Sequence, residues 1–342
     1  MSAASELVGR KPGSPPYDIM RAAYAELLVS DLDASERFYV DLLGLVVTTR
    51  TDEALYLRGW EERVHHSLVL RRADLVGVER LAFRVRSNDD LGAIAADFER
   101  RGCPTRWVEG DHPGMGRALR AWDPFGVPLE FFHEIARFET QLQRFDLQRG
   151  APVMRMDHFN LHSPQVEATF AFWLELGFRC TEYISTDGDD ERITGAWLTR
   201  KPTVHDVAFT AGRGPRLHHL GFYVAEPGGV LRACDQLAAG GFAPSIERGP
   251  GRHGVSNAFF VYLRDPDGHR IELYACDYYT GDPDLEPLRW SVSDIRCRSF
   301  WGARAPDSWY DESSPLIGPD GALTATFDAN VDERTARSEV MA

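Results

Sequence analysis

Two stretches, RAAYAELLVSDLDASERFYVDLLGL (residues 21–45) and RMDHFNLHSPQVEATFAFWLELGF (155–178), decide the fold because each repeats the other. Both run from an extended apolar segment through a polar break into an aromatic-rich helical run that closes on Leu-Gly. Gly44 and Gly177 therefore read as helix terminators in the left-handed conformation. Further along, LAFRVRSNDDLGAIAADFERRGC (81–103) matches LGFYVAEPGGVLRACDQLAAGGF (220–242), again strand, break, helix, glycine. LRAWDPFGVPLEFF (119–132) matches VYLRDPDGHRIELY (261–274) around a shared Asp-Pro-x-Gly, a hairpin turn in which Pro fixes φ and Gly accepts positive φ. The β-branched and aromatic runs between helix and hairpin, such as VVTTRT, ALYLRG and HHSLVLR, read as strands.

The pattern predicts an α+β fold of four βαβββ modules, paired into two tandem domains. The expected division is an N-terminal arm over 1–20, a non-catalytic domain over 21–150, a catalytic metal-binding domain over 151–285, and an extension over 286–342. The extension holds Trp290, Trp301, Trp309 and Tyr310, and is expected to pack on the C-terminal half as a lid. Its polar end beyond Pro319 is expected to be unstructured.

The 342 residues are 43% hydrophobic and 26% charged, which suits more than one packed core. A formal charge of −14 argues against nucleic-acid and anionic-membrane partners, because the overall field repels both. No apolar run approaches the roughly 20 residues needed to span a bilayer, and the first residues lack the apolar stretch of a signal peptide. A cytoplasmic protein is the expectation. Cys103, Cys180, Cys234, Cys276 and Cys297 are odd in number and scattered, so neither a disulfide framework nor a thiolate zinc site is indicated. Any metal must be held by other side chains.

Duplication supplies an internal control: residues needed for folding recur in both halves, and residues needed for chemistry need not. Counting back from Gly44 and Gly177 places Ala25 opposite His158. Matching LAFRV to LGFYV places Arg80 opposite His219, and the hairpins place Glu130 opposite Glu272. Two histidines and a glutamate thus converge only in the C-terminal half. Each histidine taken singly reads as a hydrogen-bonded core residue. Together they read as a two-histidine, one-carboxylate metal site with three adjacent positions open, the arrangement of non-heme Fe(II) oxygenases. His218, the neighbour of His219, is assigned to the opposite face by strand alternation.

The segment GRHGVSNAFFVYLRDPDGHRIE (251–272) fits a long signature of Gly-x-His, a spacer, an apolar residue before Tyr, Asp-Pro-x-Gly and a terminal Glu. With RMDHFN around His158, WLTRKPTVHD (197–206), GPRLHHLGF around His219 and DYYTGDPD (277–284), it resembles the type I extradiol ring-cleaving dioxygenases of the vicinal oxygen chelate superfamily. Within that family it is most similar to the group acting on 3,4-dihydroxyphenylacetate. The resemblance spans roughly 21–310. It implies His158, His219 and Glu272 as ligands of Fe(II) or Mn(II), and His205 as the acid–base residue beside bound oxygen. It implies Tyr262 as hydrogen-bonding a substrate oxygen and Asn160 and Trp197 as pocket residues. Arg248, His253 and Arg298 would hold the substrate carboxylate. A small catechol and O₂ as partners and a homotetramer follow from the same resemblance. Trp173 and Phe172 lie in a helical run and read as packing. Two other classes stay open on the residues: a glyoxalase-like isomerase or thiol transferase, which has no need of the His205 and Tyr262 pair, and a bleomycin-sequestering binding module, which would lack the triad.

Overall fold

The structure is a computed structural model that describes residues 3–330. A short helix α1 (Ala3–Val8) precedes four repeats of one unit. The first is β1 (Ile19–Val29), α2 (Leu32–Glu36, continued by a π-helical turn over Arg37–Leu42), β2 (Val46–Arg50), β3 (Ala54–Arg58) and β4 (Leu68–Arg72). The second is β5 (Gly77–Val85), α3 (Asn88–Arg100), β6 (Thr105–Glu109), β7 (Arg117–Trp122) and β8 (Pro128–Phe132). The third is β9 (Val153–Ser163), α4 (Val166–Glu175), β10 (Arg179–Ser185), β11 (Ile193–Thr199) and β12 (Val207–Ala211). The fourth is β13 (Arg216–Val224), α5 (Pro227–Ala239), β14 (Ile246–Arg252), β15 (Phe259–Arg264) and β16 (Arg270–Ala275). These are the four βαβββ modules expected. Units one and two form an eight-stranded sheet in the order β2-β3-β4-β1-β5-β8-β7-β6. Units three and four form the equivalent sheet, extended at one edge by β17 (Leu288–Ser291) parallel to β10.

Local signals in the sequence act where expected. Asp31 caps α2 by accepting from the backbone N–H groups of Asp33 (2.8 Å) and Ala34 (3.2 Å). Ser87 and Asp90 form a capping box on α3. Asp123 and Asp265 each accept two backbone N–H bonds inside the Asp-Pro-x-Gly turns that join β7 to β8 and β15 to β16.

Strand alternation sorts each central strand into two faces. On β1, Ala25, Leu27 and Val29 enter a core shared by both halves, and on β9 Phe159 and Leu161 do the same. Phe83 on β5 packs against Phe159, Trp173 and Phe178, so the halves are joined by one continuous apolar interior. The opposite faces of the two sheets carry the polar side chains.

The extension packs on the C-terminal half through β17 and Trp309, and the flanking segments also reach beyond it. Residues 9–18 cross onto both halves: Gly13 N–H donates to Leu174 O (2.7 Å), and Tyr17 O–H donates to Asp97 (2.7 Å). The extension does not confine itself to the C-terminal half, since Leu316 bridges Val78 and Trp122 Nε1 donates to Ile317 O (3.0 Å). Beyond Pro319 the chain keeps partners, with Phe327 paired to Gly214 and Asn330 N–H donating to Pro164 O. The remainder of the expected unstructured end, 331–342, lies outside the described residues.

Candidate metal centre and active site

His158 lies on β9, His219 on β13 and Glu272 on β16, three adjacent strands in the middle of the second sheet. All three are buried, and one ligand atom from each lies within 4.8 Å of the others. Glu272 Oε2 is 3.1 Å from His158 Nε2 and 3.2 Å from His219 Nε2. Burial opposes ionisation of Glu272, but the two adjoining imidazoles outweigh it and hold the carboxyl well below its ordinary range. Burial pushes His219 down to about 4, so at neutral pH it presents a neutral ring, the form that ligates.

Hydrogen bonds behind the histidines settle which nitrogen faces the centre. His158 Nδ1 lies 3.2 Å from Asp157 Oδ2, an acceptor, so Nδ1 carries a proton and Nε2 is the nitrogen turned toward the centre. On the other side, Trp309 O accepts from His218 Nε2 (3.0 Å), leaving His218 Nδ1 to accept from His219 Nδ1–H at 2.6 Å. His219 Nε2 is thereby left for the ion. Two imidazoles and one carboxylate form the facial triad suited to Fe(II) or Mn(II). Space for the first imidazole comes from Gly221, opposite His158 across the strand pair. A Cβ there would sit 2.1 Å from His158 Cε1 and 2.2 Å from Nε2.

Two sequence expectations need correction. The residue equivalent to His158 is Tyr24, not Ala25: His158 faces Gly221 across β9 and β13, and Tyr24 faces Ala82 across β1 and β5. The π-helical turn after α2 absorbs one extra residue, which shifts a count made back from Gly44. His218 does not lie on the opposite face either. The β13–β9 register breaks between Leu217 and His219, and this bulge turns His218 into the same pocket, 4.6 Å from the His162 ring and 4.3 Å from Trp309.

In the first half the metal position is filled by protein. Arg80, equivalent to His219, reaches Glu130 at 3.0 Å and Glu26 at 2.9 Å, and Tyr24 O–H donates to Glu130. A guanidinium supplies the positive charge there.

The pocket over the triad is lined by each of the other residues singled out from sequence: Asn160, Trp197, His205, Arg248, His253, Tyr262 and Arg298. The His205 ring lies 3.9 Å from that of His158, tilted by 37°, and burial, then the charge of that neighbour, hold His205 well below its ordinary value. His253 Nδ1 donates to Arg298 O, so Nε2 accepts from the Tyr262 hydroxyl at 2.9 Å. Burial, then Arg248, push His253 down to about 3, which keeps that acceptor available. Arg248 spends Nη2 on Arg298 O (2.9 Å) and Ser299 Oγ (2.7 Å), while its buried Nε and Nη1 find no acceptor among the described residues. Burial pushes this guanidinium down to about 10. Trp173 and Phe172 are core residues. Sequence reasoning missed His162, His218 and Trp309 as pocket residues. The His-His doublet signalled the second, whereas Trp309 arrives from a distant extension without a local sign.

Comparison with known proteins agrees with this geometry. Residues 21–131 and 155–273 match the model of the Glyoxalase/Bleomycin resistance protein/Dioxygenase superfamily. Homoprotocatechuate 2,3-dioxygenase from Brevibacterium fuscum, solved as an anaerobic complex with 3,4-dihydroxyphenylacetate, is 44% identical with a TM-score of 0.89, covering 93% of this chain and 99% of that one. A metapyrocatechase of Geobacillus stearothermophilus is 31% identical over 88% of this chain and 95% of its own. A manganese-dependent 2,3-dihydroxybiphenyl 1,2-dioxygenase of Geobacillus genomosp. 3 is 30% identical over 83% of this chain and 94% of its own. The chain belongs to the Glyoxalase/Bleomycin resistance protein/Dioxygenase superfamily. Within it the chain is a type I extradiol catechol dioxygenase, closely related to homoprotocatechuate 2,3-dioxygenase.

Proposed function

We propose that the catechol is 3,4-dihydroxyphenylacetate, cleaved beside its diol with both atoms of O₂ entering the product, a ring-opened hydroxymuconic semialdehyde. The observation that carries this choice is Arg248, a buried guanidinium with two unspent donors in the wall of the triad pocket. A desolvated cation of that kind favours a ring bearing a carboxylate, and the approach of an anion in a chain of charge −14 depends on such a group. Arg298 and His253 frame the same wall.

Fe(II) or Mn(II) would be held by His158, His219 and Glu272, and would supply Lewis acidity toward the diol and the redox chemistry that O₂ requires. The protein's own groups then divide the work. Arg248 fixes the carboxylate and so decides which ring carbon faces oxygen. His205, neutral at rest, takes a proton from the diol side of the pocket and returns it when the O–O bond breaks. Tyr262 directs its proton to His253 Nε2, so its oxygen lone pairs face the pocket and accept from the substrate hydroxyl. Asn160 takes Thr210 Oγ1 on its Oδ1 (3.3 Å), leaving its amide donors for the pocket. Trp197 closes the wall and excludes water. The N-terminal half acts as a scaffold, its own centre closed by Arg80, and the segment carrying Trp309 covers the site. Exposed Phe138, Leu142, Phe145 and Leu147 in the segment between the halves support a homo-oligomer, a tetramer in this reading, measured by light scattering.

The test is oxygen uptake and yellow product from Fe(II)-loaded protein with 3,4-dihydroxyphenylacetate, catechol and protocatechuate. One O₂ per ring, with 3,4-dihydroxyphenylacetate giving the highest kcat/KM, supports the reading. A higher kcat/KM with plain catechol removes the carboxylated substrate.

A further inference from the structure

Away from the triad, an open cavity of about 670 Å³ lies between the two halves. One wall comes from β1, β5 and the segment after β8, the other from β9 and the loop after β11. Its lining is strongly cationic in a chain of charge −14. Several of its cations are spoken for: Arg155 pairs with Glu61 at 2.7 Å, Arg86 with Asp18 at 2.6 Å, and Lys201 with Asp157 at 3.3 Å. Arg21, Arg84 and Arg137 have no carboxylate within ion-pair distance among the described residues.

The first two stand directly opposite each other on the β1–β5 pair, a like-charge juxtaposition that destabilises an antiparallel ladder. Duplication shows what the fold does without that conflict. The equivalent pair in the second sheet is Arg155 and Tyr223, where the guanidinium lies 3.9 Å over the ring. In the first sheet the aromatic partner is an arginine, and Arg137 adds a third charge. Burial, then Arg21 and Arg137, hold the Arg84 guanidinium below its ordinary value. Glu62, an acid of the same lining, is turned inward, accepting from Gly59 N–H (2.6 Å) and from Ser67 Oγ.

We propose that this cavity is a binding site for a small polyvalent anion bearing carboxylate or phosphate groups, held by Arg21, Arg84 and Arg137. Three guanidiniums lining one cavity offer forked donors to such an ion, and its charge offsets the repulsion across β1 and β5. The site is separate from the Arg248 pocket but shares a wall with the metal centre, since Asp157 lines the cavity and hydrogen-bonds His158.

The test is calorimetric titration of the full-length, metal-loaded protein with inorganic phosphate and, separately, with glutarate, at low ionic strength. The expected result is one saturable site per chain for at least one of the two, and the tighter binder identifies the ligand chemistry. Arg84→Tyr, which installs the pairing of the second sheet, is expected to weaken that binding at least about tenfold. Arg21→Ser should do the same if the first variant folds poorly, as judged by circular dichroism. Arg248→Ala should leave the binding unchanged. The absence of saturable binding of either anion overturns the proposal. So does binding that survives Arg84→Tyr and Arg21→Ser in folded protein, or that is lost in Arg248→Ala.

Discussion

Replacing Gly221 by alanine adds one methyl group beside the metal centre, and its consequence can be worked from the structure. The new Cβ would lie 2.1 Å from His158 Cε1, 2.2 Å from Nε2 and 2.5 Å from Nδ1, where real Cβ contacts essentially never fall below 3.0 Å. The ring must retreat by about 1 Å, several times the roughly 0.2 Å tolerance of a metal–ligand distance. Asp157 behind it and Glu272 beside it resist that motion. The fold itself should accept the methyl, because Ala82 holds the equivalent place in the first sheet with Tyr24 across from it. Overpacking is expected to cost about 1–3 kcal/mol of stability. Loss of one imidazole from the ion should lower metal affinity at least about 100-fold, near 2.7 kcal/mol. Competitive metal titration of Gly221→Ala, with urea unfolding of the metal-free protein as the folding control, measures both. Wild-type metal affinity in the folded variant would refute the claim that this glycine exists to seat His158.

Other expectations follow from the same geometry. His219→Ala should abolish metal binding and turnover together, checked by metal content and oxygen uptake; full activity without bound metal would sink the triad. His218→Phe keeps a ring but removes the acceptor for His219 Nδ1–H, so metal affinity should fall about 10–100-fold with the ligands intact. Arg248→Ala should raise KM for 3,4-dihydroxyphenylacetate about 10-fold or more, the loss of a charge-assisted bond of roughly 1.5–3 kcal/mol, and leave KM for catechol nearly unchanged. Asp123, pushed up to about 7 by burial, holds its proton in the folded protein over a range where the unfolded chain has lost it. Its contribution to stability therefore falls as pH rises from about 4 to 7. Asp123→Asn keeps an oxygen for the turn and should gain about 2 kcal/mol over wild type at pH 8 but little at pH 4, read by urea unfolding at both pH values.

Much of the molecule was legible without coordinates. Apolar periodicity and the repeated Leu-Gly and Asp-Pro-x-Gly punctuation are local properties of the chain, so four βαβββ units could be written down from them. The triad was legible because duplication marks what only one half contains. His158, His219 and Glu272 then fall on three adjacent strands of one sheet.

The residues that went astray did so for reasons a linear count cannot contain. One extra residue in the π-helical turn slid Ala25 into the place that belongs to Tyr24. A bulge in β13 turned His218 into the pocket against the alternation rule. Each is one residue of backbone irregularity, invisible to periodicity and decisive for side-chain direction.

By itself, the sequence determined the elements, their duplication and the ligand set, because these depend on side-chain chemistry and short-range backbone preference. Only the tertiary structure decided how the set is tuned. The proton positions on His158, His219 and His253 depend on acceptors that the fold brings from Asp157, from Trp309 through His218, and from Arg298. The second cavity likewise exists only because segments more than a hundred residues apart face one another across the junction of the halves.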